Sequence, residues 1–309
     1  MRTNVLRIVL AAAFILGASY SLETAKADER AFPAAAVLAE SSDGVPIAVT
    51  IAGNPDGKEL LFIHGYMSST LNWEKQLQSD LTETHKLVSV DMRGHGSSGK
   101  PWDRGSYLDA QLFADDIAAA IEAAALKKPV LVAWSYGALF AMDYIRHYGT
   151  DKVAGIVLVS SDGGLLPAPP PAEPTLEHQE RIERSRSVNV FVIREWTHGL
   201  IDYFGSDTEL PSDDMETLRL SAMLVPHHVR RFMRDRPVEN GDIADDIDAP
   251  VLFIAGAEDG SVKSGGVEKA AARIEGAEVR LYDDLGTMIY WHAPERFNND
   301  IAAFSGRVQ

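Results

Sequence analysis

The sequence contains no cysteine. That excludes disulfides, thiol nucleophiles and thiolate-bound metals, so cohesion and chemistry must both come from other side chains. Basic residues are scarce as well: 29 Lys and Arg stand against 45 Asp and Glu, a net charge of −16. A chain this acidic is a poor partner for nucleic acid or for an anionic membrane surface. Long hydrophobic runs are missing beyond the N-terminus. The one that exists, Ile8 to Tyr20, is short for a bilayer span, follows Arg2 and Arg7, and leads to a small-x-small site at Ala25-Lys26-Ala27. This predicts a signal peptide over residues 1–27, cut after Ala27, and an exported (periplasmic or secreted) mature chain without a membrane span; a retained N-terminal anchor is the alternative. There is no Gly-rich phosphate loop, dinucleotide fingerprint or trusted metal-ligand spacing, so no cofactor and no metal are expected.

What is present is an ordinary globular composition, 46% hydrophobic over 309 residues. Short apolar runs of the kind buried on both faces of a parallel sheet recur at Leu60–Ile63, Leu87–Val90, Val130–Val132, Ile156–Val159, Val251–Ile254 and Val279–Tyr282. Turn clusters bracket a further strand from Pro46 to Ala52. Between the runs lie helical patterns, such as Leu112, Phe113, Ile117, Ala120, Ile121 and Ala124, and a helix ending at Tyr148 before Gly149. The alternation predicts an α/β fold with a mostly parallel sheet flanked by helices. It breaks between Gly163 and Gly241, where Pro167, Pro169, Pro170, Pro171 and Pro174 precede helical stretches rich in apolar residues. The expected organisation is a core of residues 28–163 and 241–309, with a helical lid over 164–240.

The most informative local pattern is Ala133-Trp134-Ser135-Tyr136-Gly137, between a strand and a helix. A serine on such a turn needs small residues two places before and after, because the backbone folds back tightly on itself. The amide of Tyr136 then sits at a helix N-terminus, where free N–H groups and the helix dipole favour negative charge. Other motifs follow strand ends: His64-Gly65-Tyr66-Met67, Asp91-Met92-Arg93-Gly94-His95-Gly96, and Gly256-Ala257-Glu258-Asp259. Asp259 stands where open α/β sheets place their sites, and a carboxylate there can orient an imidazole.

Together these motifs resemble the α/β-hydrolase superfamily, in its branch of esterases, lipases and cofactor-free haloperoxidases. The resemblance runs from about Val37 to Phe304. It implies Ser135 as nucleophile, Asp259 as orienting acid, and the backbone N–H groups of Tyr66 and Tyr136 as oxyanion donors. It also implies a small, largely apolar ester or acyl substrate. Arg93 and His95 are expected to be architectural, His64 to brace its loop, and His198, His227 and His228 to be surface or pocket residues. Asp162 is read as a hinge beside Gly163-Gly164, with a substitute acid as the alternative.

Two residues depart from the pattern: Ala133 stands where a glycine is usual, a mild change that still meets the steric requirement, and the second departure bears on the chemistry. The family places its catalytic histidine after the glycine that closes the last strand, and here Gly286 is followed by Thr287. A threonine hydroxyl cannot take a proton from serine near neutral pH. Three explanations stand: His292 serves as base; the chain is a pseudoenzyme that binds a small apolar ligand in a retained pocket; or the threonine is a deliberate substitution. As a helix-entry residue His292 also has an ordinary structural explanation. Esterase and haloperoxidase or perhydrolase activities would share the same serine.

Overall fold

The apolar runs form one eight-stranded sheet, in the order β1-β2-β4-β3-β5-β6-β7-β8. The computed structural model describes residues 34–167, 175–204, 210–260 and 265–309. The expected leader and Pro169, Pro170, Pro171 and Pro174 lie outside the described residues. The strands are β1 (Ala34–Glu40), β2 (Pro46–Gly53), β3 (Lys58–Ile63), β4 (His85–Val90), β5 (Val130–Trp134), β6 (Gly155–Val159), β7 (Val251–Gly256) and β8 (Glu278–Tyr282). β1 and β2 are antiparallel to their neighbours, and every pairing from β4 through β8 is parallel. The side chains of Leu60–Ile63, Val130–Ala133 and Ile156–Val159 are fully buried, which is why these strands read as continuous apolar runs rather than alternating ones.

Register aligns the strand ends that matter. Ile63 pairs with Ala133, Trp134 with Val159, and Val159 with Ile254. The turns after β3, β5, β6 and β7 therefore emerge side by side at the carboxyl edge of the sheet.

Two one-turn helices, α1 (Glu74–Leu77) and α2 (Leu81–Thr84), precede β4. Helix α3 (Ala110–Ala123) buries Phe113, Ile117, Ala120 and Ile121, as the helical spacing predicts. It starts two residues before the apolar pattern because the Asp109 carboxylate accepts the N–H of Gln111 at 2.9 Å and caps it. Helix α4 (Tyr136–Tyr148) follows β5 directly and stops at Gly149, whose φ of +69° glycine adopts without steric cost.

Among the described residues, four α-helices lie between β6 and β7: α5 (Leu176–Ser185), α6 (Val190–Phe204), α7 (Ser212–Met223) and α8 (His227–Met233). The ends of this excursion are pinned together, since Asn240 donates its backbone N–H to Gly164 O at 2.7 Å and its side-chain amide to Gly163 O at 3.0 Å. Buried polar contacts seat the helices on the core. Ser221 on α7 donates to the Asn72 side chain at 2.8 Å, and Arg236 pairs with Asp143 of α4. The chain closes with α9 (Gly266–Ala271), α10 (Ile289–His292) and α11 (Pro294–Val308), the last opening on a proline at its first turn.

Candidate active site

The turn between β5 and α4 holds Ser135 at φ +52°, ψ −120°. A non-glycine residue in this region stores roughly 1–3 kcal/mol of strain, which the surrounding structure must hold. It is held on both sides: the Ser135 N–H donates to Val159 O at 2.9 Å, and Ser135 O accepts from Ala138 N at 3.0 Å. Gly137 shows why the second small residue is required. A Cβ there would lie 2.4 Å from Ile63 O and 2.7 Å from His64 O, so the first turn of α4 rests directly on the chain leaving β3.

That close approach brings the loop after β3 to the serine. A Cβ on Gly65 would stand 3.2 Å from Ser135 Cβ and 2.8 Å from the Trp134 indole. The loop is braced from behind by His64. Its Nε2 accepts the Met92 N–H at 3.1 Å, so Nδ1 carries the proton and donates to Gly65 O at 2.8 Å. Burial holds the His64 ring neutral, pushing its pKa down to about 4. Tyr66 follows, and its backbone N–H, like that of Tyr136 at the first position of α4, donates to no partner among the described residues. Both side chains are tied down: Tyr66 Oη donates to Arg230 O at 3.0 Å, and Tyr136 Oη to Met233 O at 3.2 Å.

Ser135, Tyr66 and Tyr136 line a cavity of about 380 Å³. Trp134, Leu139, Leu166 and Val238 make its walls largely apolar, and Phe204 reaches it from α6. Asp162 also lines it, with its carboxylate accepting the Gly164 N–H at 3.0 Å, as a hinge residue would. Ser135 Oγ accepts and donates no hydrogen bond among the described residues.

Asp259 is buried three residues beyond the end of β7, in a turn closed by its own N–H to Gly256 O at 3.1 Å. This turn packs on the loop after β8: a Cβ on Gly256 would overlap the carbonyls of Leu285 and Gly286. Thr287, next in line, is bound to the elbow itself, because the Trp134 indole N–H donates to Thr287 O at 3.0 Å. The three places where nucleophile, acid and base are expected are thus adjoining loops. Helix α10 packs on the elbow through Tyr290, whose ring centroid lies 5.2 Å from that of Trp134 and 4.7 Å from that of Trp73. His292 is two residues further, about 200° around a helix. No hydrogen bond joins it to Ser135 among the described residues.

The Arg-Gly-His loop is architectural. The fully buried Arg93 pairs with Asp116 at 2.7 Å and Asp43 at 2.8 Å, which ties the loop after β4 to α3. The His95 ring packs 4.9 Å from that of His64, and burial pushes its pKa down to about 3. His228 is buried and stacks on Trp102 with centroids 3.9 Å apart. Sequence reasoning missed the parts played by Trp134, Tyr290 and Arg230. Indole and phenol positions carry no motif, but Arg230, Arg231, Arg234 and Arg236 in an acidic chain were a legible signal.

Comparison with known proteins agrees with this geometry. Residues 59–294 match the family model described as alpha/beta hydrolase fold. The solved structure of a candidate aryl esterase from Burkholderia cenocepacia superimposes with a TM-score of 0.80 at 30% identity, covering 89% of this chain and 99% of the other. A non-heme chloroperoxidase from Streptomyces lividans is 26% identical over 286 residues, 85% of this chain and 97% of its own length. A bifunctional esterase/perhydrolase from Acinetobacter calcoaceticus is 36% identical over 121 residues, 39% of this chain. The chain spans 43% of the length of that relative and 21% of the length of the mycobacterial relatives it matches. The sheet order, the strained serine between β5 and α4, and a family match over most of the length lead to one assignment: this chain belongs to the α/β-hydrolase fold family.

Proposed function

We propose that the protein is an exported serine hydrolase of the esterase type, acting on a small and largely apolar carboxylic ester. Ser135 Oγ attacks the ester carbonyl, forming the new C–O bond. The backbone N–H groups of Tyr66 and Tyr136 receive the negative oxygen, and the alcohol departs with the proton lost by the serine. Water then releases the acid from the acyl-enzyme. Hydrogen peroxide attacking the same acyl-enzyme would give a peracid, the perhydrolase variant that the Acinetobacter relative's name includes. Asp259 is assigned as the orienting acid. His292 is the candidate base, and it must come within reach of Ser135 during the reaction.

The observation that carries this proposal is a serine held in a strained conformation at the head of α4, beside the loop after β3 that bears Tyr66, with no hydrogen bond from the backbone N–H of Tyr66 or Tyr136 among the described residues. Such an arrangement costs stability and serves only a negative charge developing at that point. A cavity of about 380 Å³ suits a small ester. The helices between β6 and β7 act as its lid, with Phe204 against the acyl group. Export is supported by the composition of residues 1–27, and N-terminal sequencing of secreted protein should begin at Asp28.

A second reading is favoured by one specific residue, Thr287: a ligand-binding protein that keeps the pocket without turnover. Labelling with a fluorophosphonate separates the two. Labelling that requires Ser135, and that is lost in both Ser135→Ala and His292→Ala, supports the enzyme with His292 as base. No labelling of the wild type, with an ester bound to the cavity, supports the binding protein.

A further inference from the structure

The cavity beside Ser135 holds charge of one sign. Two of the residues that line it, Asp162 and Glu239, carry carboxylates, and no Lys, Arg or His is among the described residues that line it. The two reach the same wall from segments far apart in sequence. Asp162 follows β6, whose Val159 pairs with Trp134, so it stands beside the elbow. Glu239 is brought to the same place by its neighbours. Asn240 donates its backbone N–H to Gly164 O at 2.7 Å and its side-chain amide to Gly163 O at 3.0 Å, and a Cβ on Gly164 would overlap Val238 O.

Neither carboxylate is neutralised. Asp162 accepts the Gly164 N–H at 3.0 Å, and neither it nor Glu239 forms an ion pair among the described residues. The cations nearby are engaged or lie elsewhere. Arg146 donates to the Asp242 carboxylate at 2.6 and 2.7 Å, and it meets Glu239 only at the main-chain oxygen, at 3.4 Å. Arg273 donates to the carbonyls of Leu165 and Gly241, and Arg236 is paired with Asp143. The buried Arg230 guanidinium has no hydrogen-bond partner among the described residues, but it stands over Trp196, which does not line the cavity.

The other half of the lining is aromatic and aliphatic. Tyr66, Trp134, Tyr136 and Phe204 all contribute to it, and the rings of Tyr66 and Tyr136 lie 6.0 Å apart. Aromatic faces attract an ammonium group through their π electrons, and an alkylated ammonium also gives them apolar contact. A neutral ester would use these walls and gain nothing from the carboxylates, whose hydration it would partly displace at a cost. An anionic ester would be repelled by both carboxylates. A cationic ester uses both halves of the lining.

We propose that the preferred substrate is an ester that carries an alkylated ammonium group, seated between the aromatic walls and the carboxylates of Asp162 and Glu239 while its carbonyl lies at Ser135. This rests on the ester site argued above and narrows its substrate from an apolar ester to one with a cationic end.

Calorimetric binding to full-length Ser135→Ala protein at neutral pH tests this without depending on turnover or on the identity of the base. Two pairs of probes differ in charge and hardly in shape. Acetylcholine and 3,3-dimethylbutyl acetate place the difference in the alcohol. Glycine betaine ethyl ester and ethyl 3,3-dimethylbutanoate place it in the acid. In at least one pair the cationic ester should bind about tenfold more tightly, the scale of a solvent-accessible ion pair acting together with an aromatic face. The pair that shows the preference tells which end of the ester faces the carboxylates. Asp162→Asn keeps an acceptor for the Gly164 N–H, and Glu239→Gln alters an exposed side chain, so both variants should melt as the parent does. Combined, they should bring the two affinities of that pair to a ratio of about one. A preference that survives both substitutions comes from the general field of an acidic protein and overturns the subsite. Equal binding within both pairs, or tighter binding of the neutral esters, overturns it as well while leaving the ester site standing. Binding of none of the four esters by the folded protein overturns the subsite and the ester site together.

Discussion

The indole N–H of Trp134 donates to the carbonyl oxygen of Thr287 at 3.0 Å. One hydrogen bond therefore ties the residue before the proposed nucleophile to the residue at which the sequence resemblance leads one to expect a base. The backbone at 287 is held by the elbow whatever side chain it bears, since the bond uses only a main-chain oxygen.

For this reason Thr287→His should supply a base at that position without rebuilding the loop. In the His292→Ala background, fluorophosphonate labelling and ester hydrolysis should rise by roughly 10²–10⁴-fold, the usual contribution of a positioned general base. The gain should vanish when Ser135→Ala is added. A labelling rate unchanged by Thr287→His would mean that the 287 side chain does not face Ser135.

The conformation of Ser135 predicts a trade of stability against chemistry. Glycine adopts φ near +52° readily, so Ser135→Gly should stabilise the fold by about 1 kcal/mol while removing the nucleophile. Thermal unfolding should show a rise of about 2 °C for a domain of this size. A fall in melting temperature would show that the serine side chain contributes packing that outweighs the strain.

His64 and His95 give the fold an acid-sensitive core. Burial lowers both, to about 4 and about 3, from an ordinary value near 6.5. Between those values and 6.5 the unfolded chain binds protons that the folded chain refuses. Stability is therefore complete above pH 6.5 and declines as the pH falls toward 4, by up to about 1.4 kcal/mol per pH unit for each histidine. Chemical denaturation at pH 7, 5.5 and 4.5 should show this slope, and His95→Gln should make it shallower.

The Arg236–Asp143 pair, with both side chains 2% exposed, fastens the end of the α5–α8 excursion to α4. Asp143→Ala leaves the Arg236 guanidinium buried among Phe113, Tyr136 and Phe140, and should cost about 3–5 kcal/mol in denaturant unfolding. Asp143→Leu combined with Arg236→Met should recover most of that loss, because an apolar pair has no stranded charge.

Much of this molecule is legible in its sequence for local reasons. The runs at Leu60–Ile63, Val130–Val132 and Val251–Ile254 are strands buried on both faces, which is why they read as continuous apolar stretches. Gly137 and Gly149 mark a turn and a helix end by the backbone geometry that each permits. Ser135 announces itself because the turn it occupies demands small neighbours at fixed spacing. These are constraints acting within a few residues of the chain.

What only the tertiary structure decided depends on segments far apart in sequence. Trp134 meets Thr287 across 153 positions, and Tyr66 meets Arg230 across 164. No periodicity foretells that Tyr290 of α10 packs on the elbow. Nor can composition reveal that Arg230 is buried without a carboxylate, because pairing is a property of space and not of order along the chain. The strained serine and its two amides were written in local pattern. The loop bearing Thr287 and the charge behind Tyr66 were set by packing at the carboxyl edge of the sheet, where aligned strand ends bring distant turns into contact.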